Sequence, residues 1–200
     1  MPKQNAPQEK KQPKTDHEYE KRVALIGDSI TELSTYPHYL AKLLGSAYAI
    51  GNFGVCGTTI ALDSTNPYMY NEALIEAKKS EPDIVVIMLG TNDAEENIFQ
   101  ANFVADYLVL IETFTTLEKK PTVYLVKPPP IFSSWGGLSS QVLTLEIIPA
   151  IEQIAKTANL FSIDVFSVLQ NPGYFFDGVH PNDSGGKLIA EAVHHALTVN

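Results

Sequence analysis

Ile84-Val85-Val86-Ile87-Met88-Leu89 is a run of six apolar residues that ends abruptly in Gly90-Thr91-Asn92-Asp93. A half-exposed strand alternates apolar and polar side chains, whereas an unbroken apolar run needs cover on both faces. Its shortness, its β-branched residues and the glycine that stops it predict a strand inside a parallel sheet clothed by helices. Four more runs fit the same reading. Val23-Ala24-Leu25-Ile26 stops at Gly27-Asp28-Ser29, and Ala47 to Phe53 runs into Gly54-Val55-Cys56-Gly57. Val123-Tyr124-Leu125-Val126 gives way to Lys127 and three prolines, which fit neither a helix interior nor a central strand. Leu160 to Val165 is the fifth.

Helical spacing fills the gaps between these runs. Thr35 to Leu44 places Leu40, Leu43 and Leu44 on one face, with Pro37 in the first turn and Gly45 as a C-terminal cap. Asn71 to Lys79 is amphipathic, Ile98 to Leu117 carries Phe103, Tyr107, Leu110, Ile111 and Phe114, and Ser184 to Leu197 carries Leu188, Ile189, Ala192, Val193 and Ala196. A pattern ending at Ala158 is interrupted by Pro149, which should kink it or start a new helix. Strands alternating with helices predict an α/β protein: a three-layer α/β/α sandwich around a five-stranded parallel sheet with right-handed crossovers.

Two hundred residues suit one domain of ordinary size. Residues 2 to 20 hold only Ala6 and Tyr19 as apolar side chains, too few to offset the entropy of ordering. The reading is therefore a disordered N-terminal arm or linker over 1–21 and a folded domain over 22–200. The arm's charges cancel, so the formal charge of −9 belongs to the folded part and argues against nucleic acid and anionic membrane surfaces as partners. No run approaches the ~20 apolar residues of a membrane span, and the N-terminus lacks the apolar core of a signal peptide. A cytoplasmic location and a secreted form whose signal has been removed both remain compatible with that. Cys56 is the one cysteine, expected as a buried, inert thiol; it excludes an intrachain disulfide and a multi-cysteine metal site.

In a parallel sheet all carboxyl ends point one way, and ligands bind there. Ser29, Gly54 and Asn92 follow the first, second and third strands, while Asp177 and His180 lie beyond the fifth. By itself Gly-Asp-Ser reads equally as a nucleophile turn or as a turn with an N-capping serine. Of the five histidines, His17 falls in the arm, His38 on the first helix, and His194 and His195 on the last; only His180 can reach the common edge. Acyl transfer by serine needs a hydroxyl beside a base, a carboxylate to orient the base, and donors aimed at the developing oxyanion. Ser29, His180 and Asp177 supply the first three. The Ser29 and Gly54 N–H groups and the Asn92 side-chain amide supply the donors. Asp28 and Trp135 are candidate substrate contacts, and Tyr36, Tyr68 and Tyr70 are aromatics able to stack on a sugar ring.

Gly27-Asp28-Ser29, Gly54, Gly90-Thr91-Asn92-Asp93 and Asp177-Gly178-Val179-His180-Pro181 together resemble the four sequence blocks of the SGNH, or GDSL-type, hydrolases. The resemblance covers about residues 22 to 199. It implies a flavodoxin-like sandwich and serine hydrolysis of esters with no metal and no cofactor. Ile30 stands where the family's name has leucine, as in many relatives. The surroundings of the blocks are most similar to bacterial carbohydrate O-acetylesterases of the acetylxylan or sialate type, so a small-molecule or glycan ester is the implied partner. A lysophospholipase or thioesterase of the same family is the alternative. A silent binding module on this fold is expected to have lost Ser29, Asn92 or His180, all of which are present. A flavin or nucleotide binder is disfavoured by an acidic side chain in the first strand's loop and by the absence of both glycine-rich phosphate motifs.

Overall fold

A computed structural model describes residues 21–95 and 102–199. Of the arm predicted over 1–21, residues 1–20 lie outside the described residues, as does the start of the helix expected from Ile98; Lys21 opens β1, two residues before the predicted strand. In chain order the elements are β1 (Lys21–Gly27), α1 (Ser29–Leu33), α2 (Tyr36–Leu44), β2 (Tyr48–Gly54), α3 (Glu72–Lys79), β3 (Ile84–Met88), α4 (Phe103–Thr115) and β4 (Thr122–Lys127). They continue with α5 (Ser140–Val142), a π-helical segment (Leu143–Ile147), α6 (Ile148–Thr157), β5 (Phe161–Asp164), α7 (Val165–Val168) and α8 (Asp183–Val199).

The five strands form one sheet in the order β2-β1-β3-β4-β5, all neighbours parallel. In the central strands β1, β3 and β4 alternate residues face opposite layers, which is why their runs are apolar, whereas the edge strands β2 and β5 are less buried and carry Asn52, Ser162 and Asp164. Ala24, Ile26, Val85, Ile87, Val123 and Leu125 pack with Leu74 of α3, Phe103, Tyr107, Leu110 and Phe114 of α4, and Ile151 and Ile154 of α6. Val23, Leu25, Val86, Met88, Tyr124, Val126 and Ile163 pack on the other side with Tyr36, Leu40 and Leu44 of α2 and with Ile189, Ala190, Val193 and Leu197 of α8.

Pro149 does start a new helix. It occupies the first turn of α6, where a missing N–H costs nothing. The preceding π segment absorbs the change of hydrogen-bond register, its last bond running from the Ile148 N–H to the Leu143 carbonyl. Among the described residues no helix is long and apolar enough to cross a membrane.

The topology has its switch point at β1, whose neighbours β2 and β3 lie on opposite sides of it. Gly27 at the end of β1 is level with Gly54 of β2 and Met88 of β3. The loops leaving these three strands therefore rise side by side, and their first residues face one crevice. Ile87 sits fully buried at the centre of this frame. Ile87→Ala should destabilise the protein by about 2–5 kcal/mol, from lost transfer energy plus an unfilled cavity. A urea titration showing less than about 1 kcal/mol would contradict so central a place in the core.

Candidate active site

The crevice is built first by Asp28. Its side chain accepts a hydrogen bond from the Ile30 N–H at 2.9 Å and so caps α1, leaving Ser29 as the first helical residue. The two sequence readings of Gly-Asp-Ser thus coexist in one turn, with Asp28 and not Ser29 as the cap. A direct consequence is a correction: Asp28 is only 1% exposed and turned inward, so it cannot contact substrate as the sequence suggested. Burial raises its carboxyl to about 7, a rise that the Ile30 N–H and the Thr91 hydroxyl offset only in part.

Ser29 is half-buried, and its Oγ lies 3.0 Å from His180 Nε2. His180 Nδ1 lies 2.7 Å from Asp177 Oδ2. The other oxygen of Asp177 accepts from the N–H groups of Val179 and His180 at 2.9 and 2.8 Å. Partial burial works against ionisation of Asp177, but these hydrogen bonds and the His180 ring outweigh it and hold the carboxyl down at about 2. An ionised carboxylate only accepts, so Nδ1 carries the proton and Nε2 presents its lone pair to the serine. The sequence placed these three residues on one edge, and the structure brings them into a single hydrogen-bonded series.

Asn92 opens the short 3₁₀ turn after β3 (Asn92–Ala94), and its Nδ2 donates to the Thr58 carbonyl at 3.0 Å. One of its two amide hydrogens is thereby spent on orientation and the other remains. Ser29 N–H, at the start of α1, has no acceptor among the described residues.

Gly54 departs from expectation. Its N–H is already donated to the Asn52 side chain at 3.0 Å, so it is no free oxyanion donor. What Gly54 provides is closeness: a Cβ there would lie 2.4 Å from the Glu32 backbone nitrogen of α1. Gly57 lies three residues on. It holds φ of +71°, a conformation that glycine adopts without strain, and its N–H has no acceptor among the described residues. Gly57 and Asn92 line a common pocket of about 340 Å³.

Three carboxylates that the sequence reading left without a role fix this loop. Asp93 accepts from the Ile60 and Ala61 N–H groups at 3.0 Å, Asp106 from Leu62 at 2.9 Å, and Glu32 from Cys56 at 2.6 Å. Asp93 is buried, and that burial raises it to about 6 despite its N–H partners. Cys56 is exposed, contrary to the buried thiol expected. Local desolvation and the Glu32 carboxylate push the thiol up to about 11, which leaves little thiolate at neutral pH.

Of the three tyrosines singled out in the sequence, Tyr36 and Tyr68 are fully buried core residues and Tyr70 is exposed. The Trp135 side chain lies outside what the structure describes. Two phenylalanines missed in the sequence flank the histidine loop instead. Phe176, 79% exposed, donates its N–H to the His180 carbonyl, and Phe132 donates to that of Gly178.

Residues 25–188 match the model of the GDSL-like lipase/acylhydrolase family. The chain belongs to that family. It is 33% identical over 205 residues to an acetylxylan esterase of Xylanibacter ruminicola, covering 88% of this chain and 43% of that protein. It is 28% identical over 127 residues to a multidomain esterase of Ruminococcus flavefaciens, covering 60% of this chain and 16% of the relative. The chain therefore spans less than half the length of these curated relatives. Among solved structures, a carbohydrate acetylesterase from Sinorhizobium meliloti superposes with a TM-score of 0.72 at 23% identity, covering 88% of this chain and 98% of the other. An acetylxylan esterase from Geobacillus stearothermophilus gives 0.70 at 20%, covering 90% and 95%. At such identities these neighbours establish the shared α/β fold.

The buried carboxyls set a pH dependence of stability. Asp28 and Asp93 are raised from 3.8 to about 7 and about 6, so the folded state binds more protons than the unfolded chain across that window. Their contribution to stability is present at pH 4 and is lost as pH rises toward 7. Asp28→Asn keeps a capping side chain and removes the titration. Its Tm should fall less between pH 4 and 7 than that of the unsubstituted chain; parallel profiles would mean Asp28 does not titrate in that range.

Proposed function

We propose that the chain is a serine esterase that removes short acyl groups, chiefly acetyl, from a carbohydrate through an acyl-Ser29 intermediate. The observation that carries this reading is the hydrogen-bonded series from Ser29 Oγ through His180 to Asp177.

His180 Nε2 takes the proton of Ser29 as Oγ attacks the ester carbonyl. Asp177 keeps the ring in the tautomer that can accept and stabilises the imidazolium that forms. The carbonyl oxygen gathers negative charge, which the N–H groups of Ser29 and Gly57 and the spare hydrogen of Asn92 stabilise. The imidazolium then returns its proton to the departing alcohol, leaving acyl-Ser29. Water repeats the sequence: His180 takes its proton, the hydroxide adds, and Ser29 leaves with the proton as the free carboxylic acid forms.

An acetyl group on a sugar is supported by the relative of Xylanibacter ruminicola, named an acetylxylan esterase, which is 33% identical. The pocket beside Gly57 and Asn92 supports it independently. Asp63, Ser64, Thr65 and Glu95 line it, carboxylates and hydroxyls that can exchange hydrogen bonds with the hydroxyls of a sugar leaving group.

Ser29→Ala should abolish hydrolysis of p-nitrophenyl acetate with an unchanged circular dichroism spectrum; retained turnover removes Ser29 from the mechanism. Asn92→Ala should lower kcat by ~10²–10³, the loss usual for one oxyanion donor. A rate within twofold of the parent would put that amide outside the reaction. The short-acyl reading predicts that kcat/KM declines by about tenfold or more in all across acetyl, butyryl and octanoyl p-nitrophenyl esters. A preference for octanoyl would point to a lipid-directed relative instead.

A further inference from the structure

The pocket next to the oxyanion donors brings together three loops. Gly57, Thr59, Asp63, Ser64 and Thr65 come from the segment after β2, Asn92 and Glu95 from the turn after β3, and Gly136 and Leu138 from the segment after β4. The last two loops are tied: Glu95 forms an antiparallel bridge with Leu138, and the Ser139 N–H donates to the Ala94 carbonyl at 2.8 Å. The Ser64 hydroxyl is held against that of Thr59. Among the described residues the lining holds two carboxylates and no lysine, arginine or histidine. At about 340 Å³ it falls at the small end of ligand pockets, which run from about 300 to 1,000 Å³.

We propose that Asp63 and Glu95 are specificity-determining residues that admit neutral, polyhydroxylated leaving alcohols and reject those bearing a carboxylate. This rests on the esterase reading above, and deepens it by choosing between neutral and anionic acetylated glycans. Sugar hydroxyls are donors, and a carboxylate is the strongest acceptor a side chain can offer them. A neutral glycan bearing a free hydroxyl beside its acetyl ester can exchange water for these oxygens. An acetylated sialic or uronic acid brings its own carboxylate toward two others, with no cation among the described lining residues to compensate. Such like-charge placement is how specificity against a competitor is built, and it acts on top of the chain's net charge of −9.

The test compares kcat/KM for a mono-acetylated methyl xyloside with that for O-acetylated sialic acid at low ionic strength. It uses the parent chain, Asp63→Asn, Glu95→Gln and the double variant, with p-nitrophenyl acetate as the common reference. The parent should favour the neutral sugar, and each charge removal should reduce the neutral-to-anionic ratio by about tenfold. Added salt should reduce the parent's ratio and leave that of the double variant nearly level. Asp63→Ala should raise KM for the xyloside, and Asp63→Asn, which keeps an acceptor, should restore it. A ratio unmoved in all three charge variants, or a parent that favours sialic acid, overturns the proposal while leaving the esterase intact. A parent that fails on p-nitrophenyl acetate overturns both.

Discussion

Asp177 holds three hydrogens on two oxygens, and the site depends on that arrangement. One oxygen accepts from the backbone N–H groups of Val179 and His180 and thereby folds the loop. The other accepts from the imidazole and sets both its tautomer and its direction. The spacing of three residues is what lets one carboxylate shape a turn and orient a side chain on it. Because the bonds outweigh partial burial, the group titrates near 2, below its ordinary 3.8. A lowered carboxyl stabilises the fold above its unfolded value and loses that contribution as pH drops through the folded one. The loop, and the histidine with it, are therefore held through the whole neutral range.

Environment separates the carboxylates of this molecule into two kinds. Asp177 remains charged and acts as an acceptor. Asp28 and Asp93 are buried at the sheet edge, where desolvation outweighs their backbone partners and lifts them to about 7 and about 6. Both act through the backbone: Asp28 caps the helix that begins with Ser29, and Asp93 holds the loop whose Gly57 and Thr58 border Asn92. Ser29 and Asn92 thus stand beside turns held by these carboxylates, and the N–H groups of Ser29 and Gly57 have no acceptor among the described residues. That pairing of rigid support with unspent donors is the preorganisation acyl transfer requires.

Much of this was legible in the sequence because both-face burial leaves a strong mark. Runs such as Ile84 to Leu89, ended by Gly90, define a parallel sheet, and the polar residues after them must share its edge. Ser29, Asn92, Asp177 and His180 followed from that logic. Gly54 and Gly57 could not be separated in the same way. Both follow β2 within a few residues, and what distinguishes them is the hydrogen bond between the Gly54 N–H and the Asn52 side chain, together with the positive φ of Gly57. Asp28 misled for a related reason. Its neighbour Ser29 faces the crevice, but the first turn of α1 directs successive side chains apart, and capping drew Asp28 inward. The tyrosines carry no mark telling core from surface, and Phe132 and Phe176 stand out only once the histidine loop is folded.

The central claim is that Ser29 is the nucleophile served by this hydrogen-bonded series, and covalent labelling tests it most directly. Incubation with a fluorophosphonate, followed by peptide mass spectrometry, should place a single phosphonyl adduct on Ser29. His180→Ala should slow that labelling severely, and boiling before exposure should abolish it. An adduct on another residue, or none in a chain that still hydrolyses p-nitrophenyl acetate, would contradict the account.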